Sequence, residues 1–277
     1  MLVAGIFFGT MALFVKLGSQ HFSALELVFY RSLTGLLFIA GMARYSGVSL
    51  GTCNIRMHLG RGIAGLSALG LYFYAMTRLP LATATTLNYT SPMFLTLITI
   101  LWQREKVRPA LVAAILLGFV GVILLLKPAV SASQLPIGLL GLMSGCLSAI
   151  AYLNIKQLAA AGEPDSRVVF YFSTISTLVA GILIPALDEF HAVSLRGAGL
   201  LLALGACATI AQLCMTRAYR TGRTLVVGGF AYSTIVFSAL NGWLFLGEVL
   251  AWSSWLGMAI IIGAGLLAVR HSTPRND

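Results

Sequence analysis

Charge is what this sequence has least of. Only 9% of its 277 residues are Asp, Glu, Lys or Arg, against about 25% in an ordinary soluble domain. Polar side chains this sparse cannot cover a globule of this size. A soluble enzyme, a nucleic-acid-binding module and a disordered chain are excluded on that ground. Acids are scarcest: Glu26, Glu105, Glu163, Asp165, Asp188, Glu189, Glu248 and Asp277. None falls at the middle of an apolar run, so carboxylate-based proton exchange and a dedicated cation or metal site lack their usual groups. His21, His58, His191 and His271 lie in loops or at run ends, where a proton relay is poorly served. Cysteine is also rare. Cys146, Cys207 and Cys214 sit in apolar runs and Cys53 in a polar stretch, so they read as small hydrophobes, not as a disulfide framework. No Gly-x-Ser-x-Gly, His-Glu-x-x-His or intramembrane acid pair is present. An enzyme and a cofactor are therefore not expected.

What the chain has instead is apolar length. Its hydrophobic fraction is 58% and its mean hydropathy +0.93. Charges and turn residues divide it into apolar runs at 2–18, 24–43, 58–77, 80–102, 109–127, 135–156, 166–186, 196–217, 223–246 and 251–270. Each is about the 20 residues a spanning helix needs. The expected fold class is an all-α integral membrane protein of ten transmembrane helices, with no room for a soluble domain. The first run begins at Leu2 with no basic stretch before it, so it is expected to be retained as a helix. A short leader preceding it stays open.

Ten spans put both termini on one side, and the basic residues say which. With cytoplasmic termini, the inner segments carry Arg44, Arg56, Arg61, Arg104, Lys106, Arg108, Lys156, Arg167, Arg217, Arg220, Arg223, Arg270 and Arg275. The outer segments carry only Lys16, Arg78, Lys127 and Arg196, and Arg31 is left inside the second span. The net charge of +10 thus reads as orientation, not as a nucleic-acid patch.

The two halves repeat. Ala75, Tyr89, Phe94, Leu101 and Glu105 recur 143 residues on as Ala218, Tyr232, Phe237, Leu244 and Glu248. Val28-Phe29-Tyr30 recurs as Val169-Phe170-Tyr171, and Lys16 as Lys156. The expected division is 1–130 and 131–277, five helices each, within a single membrane domain. An odd helix count places the halves in opposite orientations. Inverted repeats of this kind place a substrate near the bilayer midplane and allow two mirror-related states.

These residues resemble the drug/metabolite transporter superfamily in its ten-helix EamA-type form, over essentially the whole chain. The resemblance rests on Phe29-Tyr30-Arg31, on Leu87-Asn88-Tyr89-Thr90-Ser91-Pro92, on Leu101-Trp102-Gln103-Arg104-Glu105 and on Leu244-Phe245-Leu246-Gly247-Glu248. Within the superfamily the chain is most similar to the YddG-type bacterial amino-acid exporters. The resemblance implies an alternating-access carrier in a bacterial inner membrane. It would move amino acids (aromatic or bulky neutral) or similar small amphiphilic metabolites, by facilitated diffusion. Multidrug, sugar and nucleotide-sugar transport within the superfamily stay open, as does a channel. Arg31 is the one deep basic residue in this reading, which argues against a phosphate-bearing nucleotide sugar. Expected partners are a small-molecule substrate and lipid, with no nucleic acid, and a monomer suffices.

Depth selects candidate cavity residues. Tyr89 and Tyr232 each lie about nine residues into their spans, near mid-membrane at 1.5 Å per residue. They either border one cavity or pack between helices. Asn88 and Thr85 form an i, i+3 polar stripe. Pro92 removes one backbone hydrogen bond and frees a carbonyl near Asn88. Asn88 is a substrate contact beside a kink, or interhelical glue. Tyr72, Tyr74, Tyr152, Asn154, Gln212 and the Thr10/Phe14 face of the first span complete the candidates. Tyr72 and Tyr74 point to different faces. Lys16 and Lys156 read as snorkelling charges at helix ends. The resemblance implies a structural role for Arg31 and a structural or gating role for Glu105 and Glu248. Gly228-Gly229 either bend the ninth span or permit close packing. Gly5/Gly9 and Gly141/Gly145, four apart, read as helix contacts.

Overall fold

The computed structural model describes residues 1–47, 49–103, 113, 116–118, 120–124, 134–187, 190–222 and 224–271. Glu105, and most of the span expected at 109–127, lie outside them. Every regular element among the described residues is helical: α1 (Leu2–Gly18), α2 (Ala24–Ser46), α3 (Ile55–Arg78), α4 (Leu81–Asn88), α5 (Ser91–Gln103), α6 (Leu135–Ala160), α7 (Asp165–Leu187), α8 (Leu195–Thr221), α9 (Thr224–Ala231), α10 (Ser233–Leu246) and α11 (Trp252–His271).

Local chemistry sets several boundaries. Ser23 and Glu26 form a reciprocal capping box at the start of α2, and Gly47 closes it in the left-handed conformation. The Ser194 hydroxyl caps α8 by accepting the Gly197 N–H. α2, α6, α7, α8 and the segment Val226–Leu246 are long and apolar enough to cross a membrane; α1 and the part of α11 at Trp252–Ala264 are shorter apolar helices.

Helix pairing follows an exchange pattern. α3 packs most heavily on α6, α2 on α7 and α1 on α8. The first helix of each half therefore meets the third helix of the other, and the two second helices meet each other. α4 packs on α6 as α10 packs on α1. Both ends of the α2–α7 pair are closed by carboxylates. At one end Glu26 accepts the His191 N–H at 2.7 Å. At the other, Glu163 accepts from Thr52, Asn54 and Arg167.

Large apolar side chains face outward as well as into the core, and a run of polar side chains around α4 is buried. Leu37, Phe38, Ile63, Ile182, Leu202, Trp243 and Phe245 are all more than half exposed. Thr83, Thr85, Thr86, Asn88, Thr90, Ser91 and Thr96 are buried. An apolar exterior with polar groups kept inside suits a lipid surround.

Two long helical runs are broken, and at matching places. α4 stops at Asn88 and α5 starts at Ser91, with Tyr89 and Thr90 in a turn. Pro92 has no N–H to offer the Asn88 carbonyl, which is why the run breaks there. α9 and α10 part at Tyr232, the repeat equivalent of Tyr89. Gly145 of α6 lies directly on the first break. A β-carbon there would sit 2.6 Å from Thr90 Oγ1, 2.8 Å from the Leu87 oxygen and 2.9 Å from the Asn88 oxygen. In the exchanged arrangement, Gly9 of α1 lies against Phe237 and Ser238 just beyond the second break.

Candidate functional site

A cavity of about 60 Å³ opens where α1, α2, α3, α4, α6, α7 and α8 converge. That volume has room for a few waters. Four of these helices contribute a stripe at helical spacing. Phe8 and Met11 come from α1, and Arg61, Gly65, Ala68 and Tyr72 from α3. Ser148 and Tyr152 come from α6, and Gln212 and Met215 from α8. Arg31, Asn88, Tyr89 and Phe172 complete the polar and aromatic lining.

Five of the sequence candidates line this cavity together: Tyr72, Asn88, Tyr89, Tyr152 and Gln212, with Arg31 beside them. Asn88 both lines the cavity and joins helices, because its amide donates to Ser144 Oγ at 2.9 Å and Ser148 Oγ at 3.2 Å on α6. Thr85 stands behind the lining, sharing a 3.0 Å hydrogen bond with the Tyr72 hydroxyl. Tyr152 stacks on Tyr219, ring centroids 4.7 Å apart and planes 20° apart.

Other candidates lie elsewhere. Tyr74 faces outward, 39% exposed, with Arg78 over its ring at 5.8 Å. One hundred degrees per residue separates it from the face that carries Tyr72. Thr10 turns its hydroxyl back to the Ile6 carbonyl, and Phe14 packs against the core; Phe8 and Met11 hold the cavity face of α1. Asn154 lies beside Gly60 of α3. Tyr232 is buried away from the lining, with no partner for its hydroxyl among the described residues. Gly228 and Gly229 are buried, and Gly228 faces the Pro92 ring, bringing the two broken runs together.

The ends of the cavity helices carry polar latches. Lys16 Nζ donates to the Met76 oxygen at 3.0 Å and the Leu79 oxygen at 2.7 Å, at the C-terminus of α3. It is not a snorkelling charge, because it satisfies carbonyls that the end of α3 leaves free. The Glu248 carboxylate takes the Leu81 N–H and caps α4, whose own cap residue Pro80 offers no side-chain bond. A negative group at a helix N-terminus is stabilising. At the other end Lys156 Nζ donates to the Gly222 oxygen at 3.2 Å. Lys16–Leu79 and Lys156–Gly222 thus join repeat-equivalent residues at opposite ends of the bundle.

Glu163 anchors that second end. Burial pushes its carboxyl up, but hydrogen bonds from Thr52, Asn54, Arg167 and His58 outweigh the burial and hold it at about 2. His58 Nε2 lies 3.4 Å from it.

Arg61 is the main correction to the sequence reading. Counted there as a loop charge, it is 3% exposed and lines the cavity. Arg31 is therefore not the one deep cation. Phe172 was also missed. The signal existed: stepping back from Tyr72 by helical turns reaches Ala68, Gly65 and Arg61.

The EamA-like transporter family profile matches residues 1–127 and again 136–270. The pseudopaline exporter CntI of Pseudomonas aeruginosa (strain UCBPP-PA14) is 36% identical over 249 residues, spanning 89% of this chain and 86% of that one. A riboflavin transporter of Vibrio cholerae is 30% identical, over 77% of this chain and 71% of that one. A solved crystal structure superposes with a TM-score of 0.73 at 19% identity, covering 98% of this chain and 96% of its own, a likeness of fold.

Proposed function

We propose, from the premise that this chain belongs to the EamA-like transporter family, that it is an alternating-access carrier of small amphiphilic metabolites in a bacterial cytoplasmic membrane. Its two halves, near 1–130 and 131–277, form inverted five-helix repeats with cytoplasmic termini. Taking α4 with α5 and α9 with α10 as single broken spans gives nine spans among the described residues, and the run expected at 109–127 is proposed as the tenth. A single chain holds both repeats, so a monomer suffices.

The observation that carries this reading is the pair of matching helix breaks, the first of which borders the cavity while the second run meets it through Gly228 against Pro92. Discontinuous helices at the junction of inverted repeats are a recurrent way to build a midplane substrate site. The exchange pattern of helix pairing and the repeat-related latches at Lys16 and Lys156 support it. The Lys16 latch seals the outer end and the Lys156 latch the cytoplasmic end, and the carrier alternates between breaking one and the other.

Aromatic rings with amide and hydroxyl groups suit amino acids and similar amphiphiles. The lining carries no Asp or Glu among the described residues, which favours facilitated movement over carboxylate-coupled proton exchange. Purified protein in liposomes, preloaded with unlabelled amino acids, should accumulate the labelled counterpart by counterflow. Uptake should saturate and should not respond to an imposed pH gradient. A flux that rises linearly with concentration would replace the carrier with a channel. Acceleration by the gradient would restore proton coupling.

A further inference from the structure

Two guanidinium groups share one aromatic ring in the cavity. Arg61 Cζ stands 4.4 Å from the Phe172 centroid and Arg31 Cζ 5.5 Å from it. Arg31 is 5% exposed and Arg61 3%. Neither forms an ion pair among the described residues, where the acids in such pairs are Glu26, Glu163 and Asp165. Arg31 spends one donor on Gln212 Oε1 at 3.2 Å. Arg31 Nε, Arg61 Nε, Arg61 Nη1 and Gln212 Nε2 are buried with no hydrogen-bond partner.

Phe172 does not account for this arrangement. A ring face attracts one cation, while two like charges set on the same ring repel. A buried charge without a partner is strongly unfavourable. The sequence nevertheless makes room for it. Gly65, one helical turn from Arg61, offers no side chain where Arg61 Nη1 lies; a β-carbon at Gly65 would overlap that nitrogen. The lining is therefore rich in unpaired donors and holds no acid to answer them.

We infer that Arg31 and Arg61, with Gln212, form an oxyanion subsite that receives a carboxylate or phosphate group of the substrate, while Phe8, Tyr72, Tyr89 and Tyr152 take its apolar part. This rests on the carrier reading and narrows its substrate class to anionic amphiphiles. Guanidinium groups present a planar fork of donors that matches both oxyanions. Occupation satisfies the buried donors in one step.

The test uses calorimetry of the detergent-purified protein with phenylsuccinate, phenyl phosphate and the neutral 3-phenylpropanamide. At least one anion should bind about ten-fold or more tighter than the amide, the ratio expected when a charge-assisted hydrogen bond is gained. Which anion wins separates a carboxylate site from a phosphate site. Arg61→Gln and Arg31→Gln should each remove most of that preference by weakening the anion far more than the amide, while Arg61→Lys should keep part of it. Equal binding of anions and amide would overturn the subsite. So would a parallel loss of both ligands in Arg61→Gln, which marks a purely structural arginine. Counterflow of the same compounds separates this inference from its premise. Binding preference without counterflow removes the carrier and keeps the subsite; counterflow indifferent to ligand charge keeps the carrier and removes the subsite.

Discussion

Glu248 accepts the backbone N–H of Leu81 through both carboxylate oxygens, at 3.0 and 2.9 Å, across 167 residues of sequence. The bond ties the end of α10 to the start of α4, the shorter part of the first broken run. Lys16 lies close enough to feel the same carboxylate.

Removing that carboxylate should loosen α4 from its first turn. Glu248→Ala is expected to cost about 1 kcal/mol, the usual worth of an N-terminal cap. Hydrogen–deuterium exchange should show faster exchange of the amides of Leu81 to Ala84 while α7 is unaffected. Unchanged exchange at Leu81 would mean that the cap does not hold α4.

Gly145 and Gly70 should respond to alanine in opposite directions. At Gly145 the new methyl would press on Thr90 and on the Leu87 and Asn88 carbonyls. Overpacking of this kind costs about 1–3 kcal/mol. At Gly70 of α3 nothing lies within 4 Å of a β-carbon, and alanine should add about 0.5–1 kcal/mol through helix propensity. Thermal unfolding in detergent should lower the midpoint for Gly145→Ala and raise it for Gly70→Ala. The same sign for both would show that the break is not pinned by close approach.

Glu163 makes stability depend on acid in a defined window. Its carboxyl is held near 2 in the folded state, below the ordinary value of 4.5. A depressed carboxyl contributes its full stabilisation above the ordinary value and loses it as pH falls toward the folded one. The Glu163 contribution to the wild-type unfolding midpoint should therefore be fully present above about pH 5 and be lost progressively below that. Glu163→Gln should start lower at neutral pH and show a shallower fall. Parallel curves for the two proteins would refute the assignment.

The sequence carried most of the helices and part of the site, for physical reasons visible in particular residues. Expected spans at 24–43, 135–156, 166–186 and 196–217 correspond to α2, α6, α7 and α8 within a few residues, because apolar length is a strong local signal. The first broken run was marked by Pro92, whereas Gly228-Gly229 lie inside α9 and serve close packing against Pro92, with the second break beyond them at Tyr232. Tyr72 and Asn88 stood out as polar groups deep in apolar runs. Arg61 did not, because a basic residue near a helix end is ordinarily drawn to the surface, and only its neighbours across α7 turn it inward. Phe172 looked like any core aromatic until two arginines met on it. Lys16 and Glu248 form their bonds with backbone atoms, which leave no trace in side-chain pattern.

Alternation between the two latched ends is the centre of this account, and accessibility of the cavity tests it most directly. A single cysteine at Ser148, in a background with Cys53, Cys146, Cys207 and Cys214 replaced, would be labelled by an impermeant thiol reagent from each face of oriented vesicles. Lys16→Met breaks the bonds to Met76 and Leu79, so labelling from the outer face should rise while labelling from the cytoplasmic face falls. Lys156→Met should shift the balance the other way, and less, since one bond of 3.2 Å is lost. Labelling that rises from both faces together in either variant would contradict alternating access.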